Sequence, residues 1–331
     1  MSTMKAIALW FFPLVVLLTT FWLSLFCYSA IPVSPMNALH ALLPSSELPL
    51  SEALVRNIRL PRSLIALLIG ASLALAGALL QTLTHNPLAS PSLLGINNGA
   101  ALAMALTSAL NPVLLTGYSV AFIAASGGGI AWLLVMLAGG GWRQEIDRNR
   151  LILAGIALSA LCMALTRITL LLSEEQAYGL FSWLAGGISH VSWAEFRQIF
   201  PFTLLIFPVM VLLANRLNLL NVSDVTAHTL GVNLSRLRLL INIAVLLLVG
   251  ACVSVAGPVA FIGLLIPHLA RIWIGHDHRK LLTMSMLMGA TFMLLADILA
   301  RALARPSELP AGAILALIGA PCFVWLVRKR R

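Results

Sequence analysis

Gly70-Ala71-Ser72-Leu73-Ala74-Leu75-Ala76-Gly77 lies in the middle of an apolar run that extends from residue 60 to residue 83. A helix needs about 20 such residues to cross a bilayer, so this run is long enough to span one. Its small residues let neighbouring membrane helices approach closely. Runs of the same character recur on both sides of it, at 6–28, 92–110, 117–138, 150–172, 196–214, 237–256, 258–274, 281–304 and 311–327. Hydrophobic residues make up 60% of the 331-residue chain and charged residues 10%, against about 25% charged in a soluble domain. Mean hydropathy is +0.98. A soluble core cannot hide that much apolar surface, so lipid must be the solvent for much of the chain. Strands that alternate polar and apolar residues, as a transmembrane barrel requires, are absent. The expected fold is an all-α membrane protein of about ten transmembrane helices. The first run, Ala6 to Phe26, exceeds the about 7–15 residues of a cleavable signal core and is read as a retained anchor.

Lysine and arginine in the short loops set the expected orientation. The tail Arg328, Lys329, Arg330, Arg331 places the C-terminus inside. Arg279 and Lys280 fall on the same side, as do Arg216, Arg236, Arg238, Arg143, Arg148 and Arg150. An even number of spans puts the N-terminus, with Lys5, inside too. The net charge of +10 is mostly this topogenic charge, and no basic soluble face for nucleic acid accompanies it. Arg56, Arg59 and Arg62, then Arg301 and Arg305, lie on the opposite side against the rule. Cys27, Cys162, Cys252 and Cys322 lie in or at the ends of apolar runs, at spacings that fit no metal motif, and read as small packing residues.

No soluble domain interrupts the chain, which reads as a single membrane domain over 1–331. Its longest polar stretches are 29–59, 173–195 and 215–236. The opening motif has a counterpart in the same frame, Gly250-Ala251-Cys252-Val253-Ser254-Val255-Ala256-Gly257, and at that offset Pro87 meets Pro267 and Gly95 meets Gly275. The expectation is two pseudo-repeats, about 1–190 and 191–331, each of five helices and inverted with respect to one another. Such repeats commonly build a pathway at their interface. The alternative is that small residues recur only because they permit close packing. The eighth run is short. Gly257-Pro258 separates it from the seventh, and Pro267 is expected to break it again before His268 and Arg271. Broken backbone at membrane depth is tolerated where it is buried in protein or lines an aqueous cavity, which makes Pro267 and His268 pathway candidates; a kink serving packing alone stays open.

The chemistry is sparse. Gly127-Gly128-Gly129 and Gly139-Gly140-Gly141 are not followed by the Lys-Ser/Thr of a phosphate loop, so ATP, if it drives the protein, is bound by another chain. Asp297 and Arg301 stand four apart, a spacing that lets them pair on one helix face. Arg167 lies near a helix end and can snorkel. Proton-coupled carriers usually need an acid deep in the bundle, and Asp297, with a cation beside it, is the one candidate. His276, Asp277 and His278 resemble metal ligands, but Arg279 and Lys280 beside them repel a cation. No resident cofactor or metal and no catalytic constellation is expected.

The inner stretch 215–236 is the most informative loop. Leu219 or Leu220, Ala227 and Leu230 share one face of a helix turning near Asp224, with Asp224 as its N-cap and Gly231 as its C-terminal stop. Such a helix docks in a groove of a cytosolic partner or rests on lipid headgroups.

A family resemblance enters on a long series of motifs. Arg59-Leu60-Pro61-Arg62, Asn86-Pro87-Leu88-Ala89-Ser90-Pro91, Leu94-Gly95, Asn98-Gly99-Ala100, Leu153-Ala154-Gly155 and Ala227-His228-Thr229-Leu230-Gly231-Val232 belong to it. Gly257-Pro258-Val259-Ala260-Phe261-Ile262-Gly263-Leu264, Pro267-His268, Ala296-Asp297, Leu309-Pro310-Ala311-Gly312 and Ile318-Gly319-Ala320-Pro321 continue it. Together they resemble the iron-siderophore and cobalamin permeases of FecCD/BtuC type, from about residue 50 to the C-terminus. The stretch from Phe21 to Ala30 more narrowly resembles one permease subunit of ferric citrate importers. The resemblance implies a type II ABC importer permease in the bacterial inner membrane that moves an iron chelate. Its implied partners are a paralogous permease subunit in a heterodimer, cytoplasmic ATP-binding subunits and a periplasmic substrate-binding protein. It further implies binding-protein contacts at Arg59, Arg62 and Arg301, and ATPase docking through 215–233, with Asp224, Ala227, Leu230 and Gly231. An inner gate is implied at Asn86 and Leu88, with a second constriction near Arg148 and Asn149. There the sequence is more strongly charged than in the cobalamin relative, and Ser223 replaces a glycine common before the docking-loop acid.

Two function classes remain in view. One is a passive permease driven by a separate ATPase; the other is an ion-coupled secondary transporter. The lack of an unpaired deep acid and the presence of a docking loop favour the first.

Overall fold

The computed structural model describes residues 3–29, 31–43, 49–92, 94–110, 113, 118–140, 148–172, 183–220, 233–304 and 307–328. Among these residues every regular element is a helix. Helices α1 (Thr3–Phe26), α2 (Pro35–His40) and α3 (Leu50–Leu83) come first, and α4 (Ile96–Leu110), α5 (Tyr118–Gly139) and α6 (Arg148–Leu172) follow. The second half holds α7 (Trp193–Leu212), α8 (Ala214–Leu220), α9 (Leu234–Ala256), α10 (Ile262–Ile274), α11 (His278–Leu303) and α12 (Ala311–Arg328).

Each of the ten apolar runs coincides with one of these helices, yet among the described residues only seven helices are long and apolar enough to cross a bilayer. The exceptions are α4 at 15 residues, α10 at 13 and α12, whose apolar part is Ala311–Trp325. A 13-residue helix rises only about 20 Å, short of the roughly 30 Å hydrocarbon core. The sequence runs counted by hydropathy include their irregular flanks, so a length of apolar chain overstates the length of helix.

Helices α3 and α9 form the centre. They pack on each other; α3 also contacts α10 and α11, and α9 also contacts α5 and α7. Small residues decide this placement. A Cβ added at Gly77 would stand 1.9 Å from the Gly263 carbonyl oxygen, and one at Gly70 would stand 2.2 Å from that of Gly289. No side chain fits at either crossing, so these backbones touch directly, the packing open to membrane helices that gain nothing from a hydrophobic effect between them. The second motif meets different neighbours: Gly250 faces Ala125, and Gly257 faces the Trp183 carbonyl.

Three irregularities position the sites. The first is a π turn, Val55–Arg59, near the start of α3. Leu60 N–H donates to the Val55 carbonyl, one residue further back than in an α-helix. In that register the next donor would be Pro61, which has no N–H. The Arg56 carbonyl accepts the Trp193 indole N–H at 3.1 Å instead. The second is the break between α9 and α10, where Gly257 (φ 70°) and Phe261 (φ 67°) both take left-handed backbone. That conformation is rare for a bulky residue such as Phe261, and its ring lies against Gly319, where any Cβ would stand 2.6 Å away.

The third is Pro267, and it corrects the expected second break. Helix α10 runs without interruption from Ile262 to Ile274 with Pro267 inside it. Proline leaves the carbonyl four residues back without its helical donor. Here that carbonyl belongs to Gly263, and Gln81 on α3 donates to it at 3.2 Å and to the Leu264 carbonyl at 3.2 Å. The Gln81 side-chain oxygen in turn accepts from Arg271. A side chain from another helix satisfies the freed acceptor, so the helix need not end.

Candidate functional site

Functional groups gather at the two ends of α3, about 20 residues and so roughly 30 Å apart. At its start stand the arginines. Arg62 donates through Nε (2.9 Å) and Nη2 (2.8 Å) to Asp297 Oδ1, and through Nη1 to Glu308 Oε2 at 2.7 Å. Asp297 Oδ2 lies 3.0 Å from Arg301 Nη2, the pair four residues apart on α11. Arg301 Nη1 also donates to the carbonyls of Ser24 (3.1 Å) and Cys27 (3.2 Å), which ties α1 into the cluster. Arg59 Nη2 donates to the Tyr28 carbonyl at 3.2 Å. Two guanidiniums and two carboxylates thus form one chain from α3 through α11 to the segment before α12. Asp297 is fully buried and Arg301 is 2% exposed, whereas the Glu308 side chain keeps 35% of its surface open.

Arg59, Arg62 and Glu308 line a cavity of about 830 Å³, with Trp183, His190 and Glu195 on its other walls. The three arginines for which a soluble partner is the implied contact are therefore buried side chains whose hydrogen bonds run to internal acceptors. Arg59 and Arg62 reach the cavity; Arg301 braces them from beneath through Asp297. Glu308, which no motif singled out, is the carboxylate nearest solvent.

At the other end of α3 the short helix α8 buries Ala214, Leu217 and Leu220, three residues apart, and turns its polar groups to α11 and α3. Asn218 Nδ2 donates to Asp277 Oδ1 at 2.7 Å. Its Oδ1 accepts from the His278 backbone N–H at 2.9 Å and lies 2.8 Å from His278 Nδ1. An amide oxygen only accepts, so Nδ1 of His278 carries the hydrogen. The other ring nitrogen lies 2.6 Å from the Thr82 hydroxyl on α3. Arg279 donates to the Asn215 side-chain oxygen. His85 Nε2 donates to the Leu220 carbonyl at 2.8 Å. Asp277 is the exposed N-cap of α11, and its hydrogen bond from Asn218, then the Arg279 N–H, holds its carboxyl below the usual range. The three residues that resemble metal ligands thus part ways: Asp277 caps a helix and His278 turns into the core.

His85 takes left-handed backbone (φ 46°) and turns the chain out of α3. Asn86 then folds on itself, its Oδ1 accepting from the Leu88 N–H at 2.9 Å. Leu88 is 42% exposed. Asn149 lies in the first turn of α6, and its side chain is outside the described part. Pro267 is buried and His268 half-buried, both in α10. Asp224, Ala227, Leu230 and Gly231 lie outside the described residues.

The model of the FecCD transport family matches residues 16–329. This chain belongs to the FecCD transport family. Within it, the chain is 71% identical over 324 residues, 98% of each chain, to the Fe(3+) dicitrate transport system permease protein FecC of Escherichia coli (strain K12). It is 40% identical over 282 residues, 83% of each chain, to the hemin transport system permease protein HmuU of Yersinia pestis. Its fold matches a solved inward-facing ABC transporter assigned to the metal-chelate type, with TM-score 0.83 and 34% identity over 96% of this chain and 98% of that one. A second solved structure, PsaBC from Streptococcus pneumoniae in complex with Fab, is 17% identical with TM-score 0.59 over 83% of this chain, a likeness of fold alone. As a FecCD permease the chain is a transport subunit, and the ion-coupled carrier is not favoured. Asp297 supports that outcome physically, because two arginines hold it from both sides.

Proposed function

We propose that this protein is the permease subunit of an ATP-driven importer that carries iron(III) dicitrate across the bacterial inner membrane. The observation that carries the reading is the 71% identity to the FecC permease over 98% of both chains. ATP is hydrolysed by a separate subunit. A paralogous permease completes the channel, and a substrate-binding protein delivers the chelate. Expressed in a strain lacking its own ferric dicitrate permease but keeping the partner genes, the protein should restore uptake of radiolabelled iron from citrate. Restoration with hydroxamate chelates and none with citrate would overturn the substrate.

The same reading assigns the two ends of α3. The arginine cluster faces the periplasm, and the binding protein docks over the cavity that Arg59 and Arg62 line. Arginine suits carboxylates on such a partner, since its planar fork donates two parallel bonds. The α8 end faces the cytoplasm with both termini, and 215–236 docks on the ATPase. Purified binding protein should associate with spheroplasts and not with inside-out vesicles, and Arg59→Glu should weaken that association several-fold. Binding to inside-out vesicles would reverse the orientation; equal binding by Arg59→Glu would remove that arginine from the docking surface.

A further inference from the structure

We infer that a pocket between α2, α3 and α7 holds the headgroup phosphate of an anionic phospholipid, gripped by Arg56 and Arg197. The pocket has a volume of about 470 Å³. Arg56, Asn57 and Leu60 reach it from the start of α3, and Trp193 and Arg197 from the first turns of α7. Leu42 and Leu43, which follow α2, close the apolar wall. Both arginines are exposed, and among the described residues neither guanidinium has a hydrogen bond or ion pair. The described acids closest to them in the chain are engaged elsewhere. Glu52 Oε1 lies 3.7 Å from His40 Nδ1, and Glu195 Oε2 accepts from the Ser192 hydroxyl at 2.6 Å. Two cations therefore share a space that no described carboxylate lines.

The surroundings select a lipid over a free anion or an acidic protein. Helices α3 and α7 are both long and apolar enough to cross a bilayer, and the pocket lies where both begin, at headgroup depth. Trp193 suits that depth, because its ring is apolar and its N–H is polar. Its indole donates to the Arg56 carbonyl at 3.1 Å, which holds the two walls together. Helix α2 gives a second, independent sign. Ala38 and Ala41 are buried with Leu25 and Val55, whereas Met36, Leu39 and Leu43, at spacings of three and four, are exposed. An apolar face beside basic residues lies in the acyl boundary of a bilayer. The planar fork of arginine meets phosphate with two parallel bonds, and basic side chains at a membrane surface attract anionic lipids. A water takes about 30 Å³ of the liquid, so the pocket has room for the glycerol beside the phosphate. In the proposed orientation a lipid also accounts for Arg56, which the loop-charge rule leaves unexplained. The cavity assigned to the binding protein uses another face of α3, through Ile58, Arg59 and Arg62, so the two sites can be tested apart.

The probe is radiolabelled phosphatidylglycerol added to the complete importer in micelles, with bound lipid counted after gel filtration. Arg56→Gln and Arg197→Gln should each weaken binding at this site about fivefold, and the double variant roughly 30-fold, the losses expected for one and two cationic contacts at a membrane surface. Arg56→Lys with Arg197→Lys keeps both charges and should recover part of the binding, which separates loss of charge from loss of fold. Labelled phosphatidylcholine, whose headgroup has no net charge, should bind wild type and double variant alike. Wild-type affinity for phosphatidylglycerol in the double variant overturns the inference, as does no recovery by the lysine pair. So does displacement of the label by a large excess of inorganic phosphate, which would make the pocket a site for the free ion. Loss of binding-protein association in the double variant, with phosphatidylglycerol still bound, would place the pocket under that partner and overturn it too.

Discussion

Replacing Asp297 by Asn should destabilise the protein by about 3–5 kcal/mol, the scale on which a broken buried ion pair leaves an uncompensated charge. Asp297 is fully buried; one oxygen accepts from Arg62, and the other lies 3.0 Å from Arg301 Nη2 as an ion pair. Asparagine keeps the shape. It loses the charge that both guanidiniums face, and its NH₂ points at a donor on one side or the other. Arg62 retains Glu308, but Arg301 retains only carbonyl oxygens. Arg301→Met should cost less, because Asp297 would still accept two N–H bonds from Arg62. The measurement is the unfolding midpoint of the purified protein in micelles, with the two variants beside the wild type. A wild-type midpoint for Asp297→Asn would mean that the cluster does not hold α3 to α11. Because Arg62, which Asp297 holds, lines the cavity, the variant should also weaken any partner docked over it, so stability must be measured apart from uptake.

The sequence made part of this cluster visible and hid the rest for a definite reason. Asp297 and Arg301 are four apart on one helix, and helical periodicity alone brings them together. Arg62 lies 235 residues from Asp297 and 246 from Glu308, and no local pattern reports such pairings. Arg59, Arg62 and Arg301 ran against the loop-charge rule, and the rule had no place for a carboxylate waiting inside the bundle. Pro267 shows the opposite failure. Its effect on its own helix was legible, but the answer to it, Gln81, sits on another helix and looks in sequence like one polar residue in an apolar run. The π turn was also unannounced, because the donor that meets the carbonyl Pro61 leaves open is the indole of Trp193. Apolar runs fixed the number of helices to look for but not their lengths, since hydropathy does not see where φ turns positive at Gly257 and Phe261.

The second large effect is expected at Ala227. Replacing it by Arg should abolish uptake while the protein still inserts in the membrane. The segment that holds it follows α8 directly, and α8 is anchored: Leu217 and Leu220 are buried and Asn218 is bonded to the start of α11. The docking reading expects a helix there, capped by Asp224 and stopped by Gly231, with Ala227 and Leu230 on the side that meets the ATPase. Alanine at the contact means close approach. Arginine there adds bulk to a fitted groove and a cation with no partner, and an unpaired charge buried at an interface costs about 2–5 kcal/mol. That is a loss of at least roughly 30-fold in affinity for the ATPase. Charges outside the spans do not oppose insertion, and in the proposed orientation an added arginine there agrees with the loop-charge rule. The ATPase that co-purifies with the variant, measured beside uptake in cells, decides the matter. Full co-purification with normal uptake would show that the segment lies on lipid or solvent and that the ATPase engages another surface.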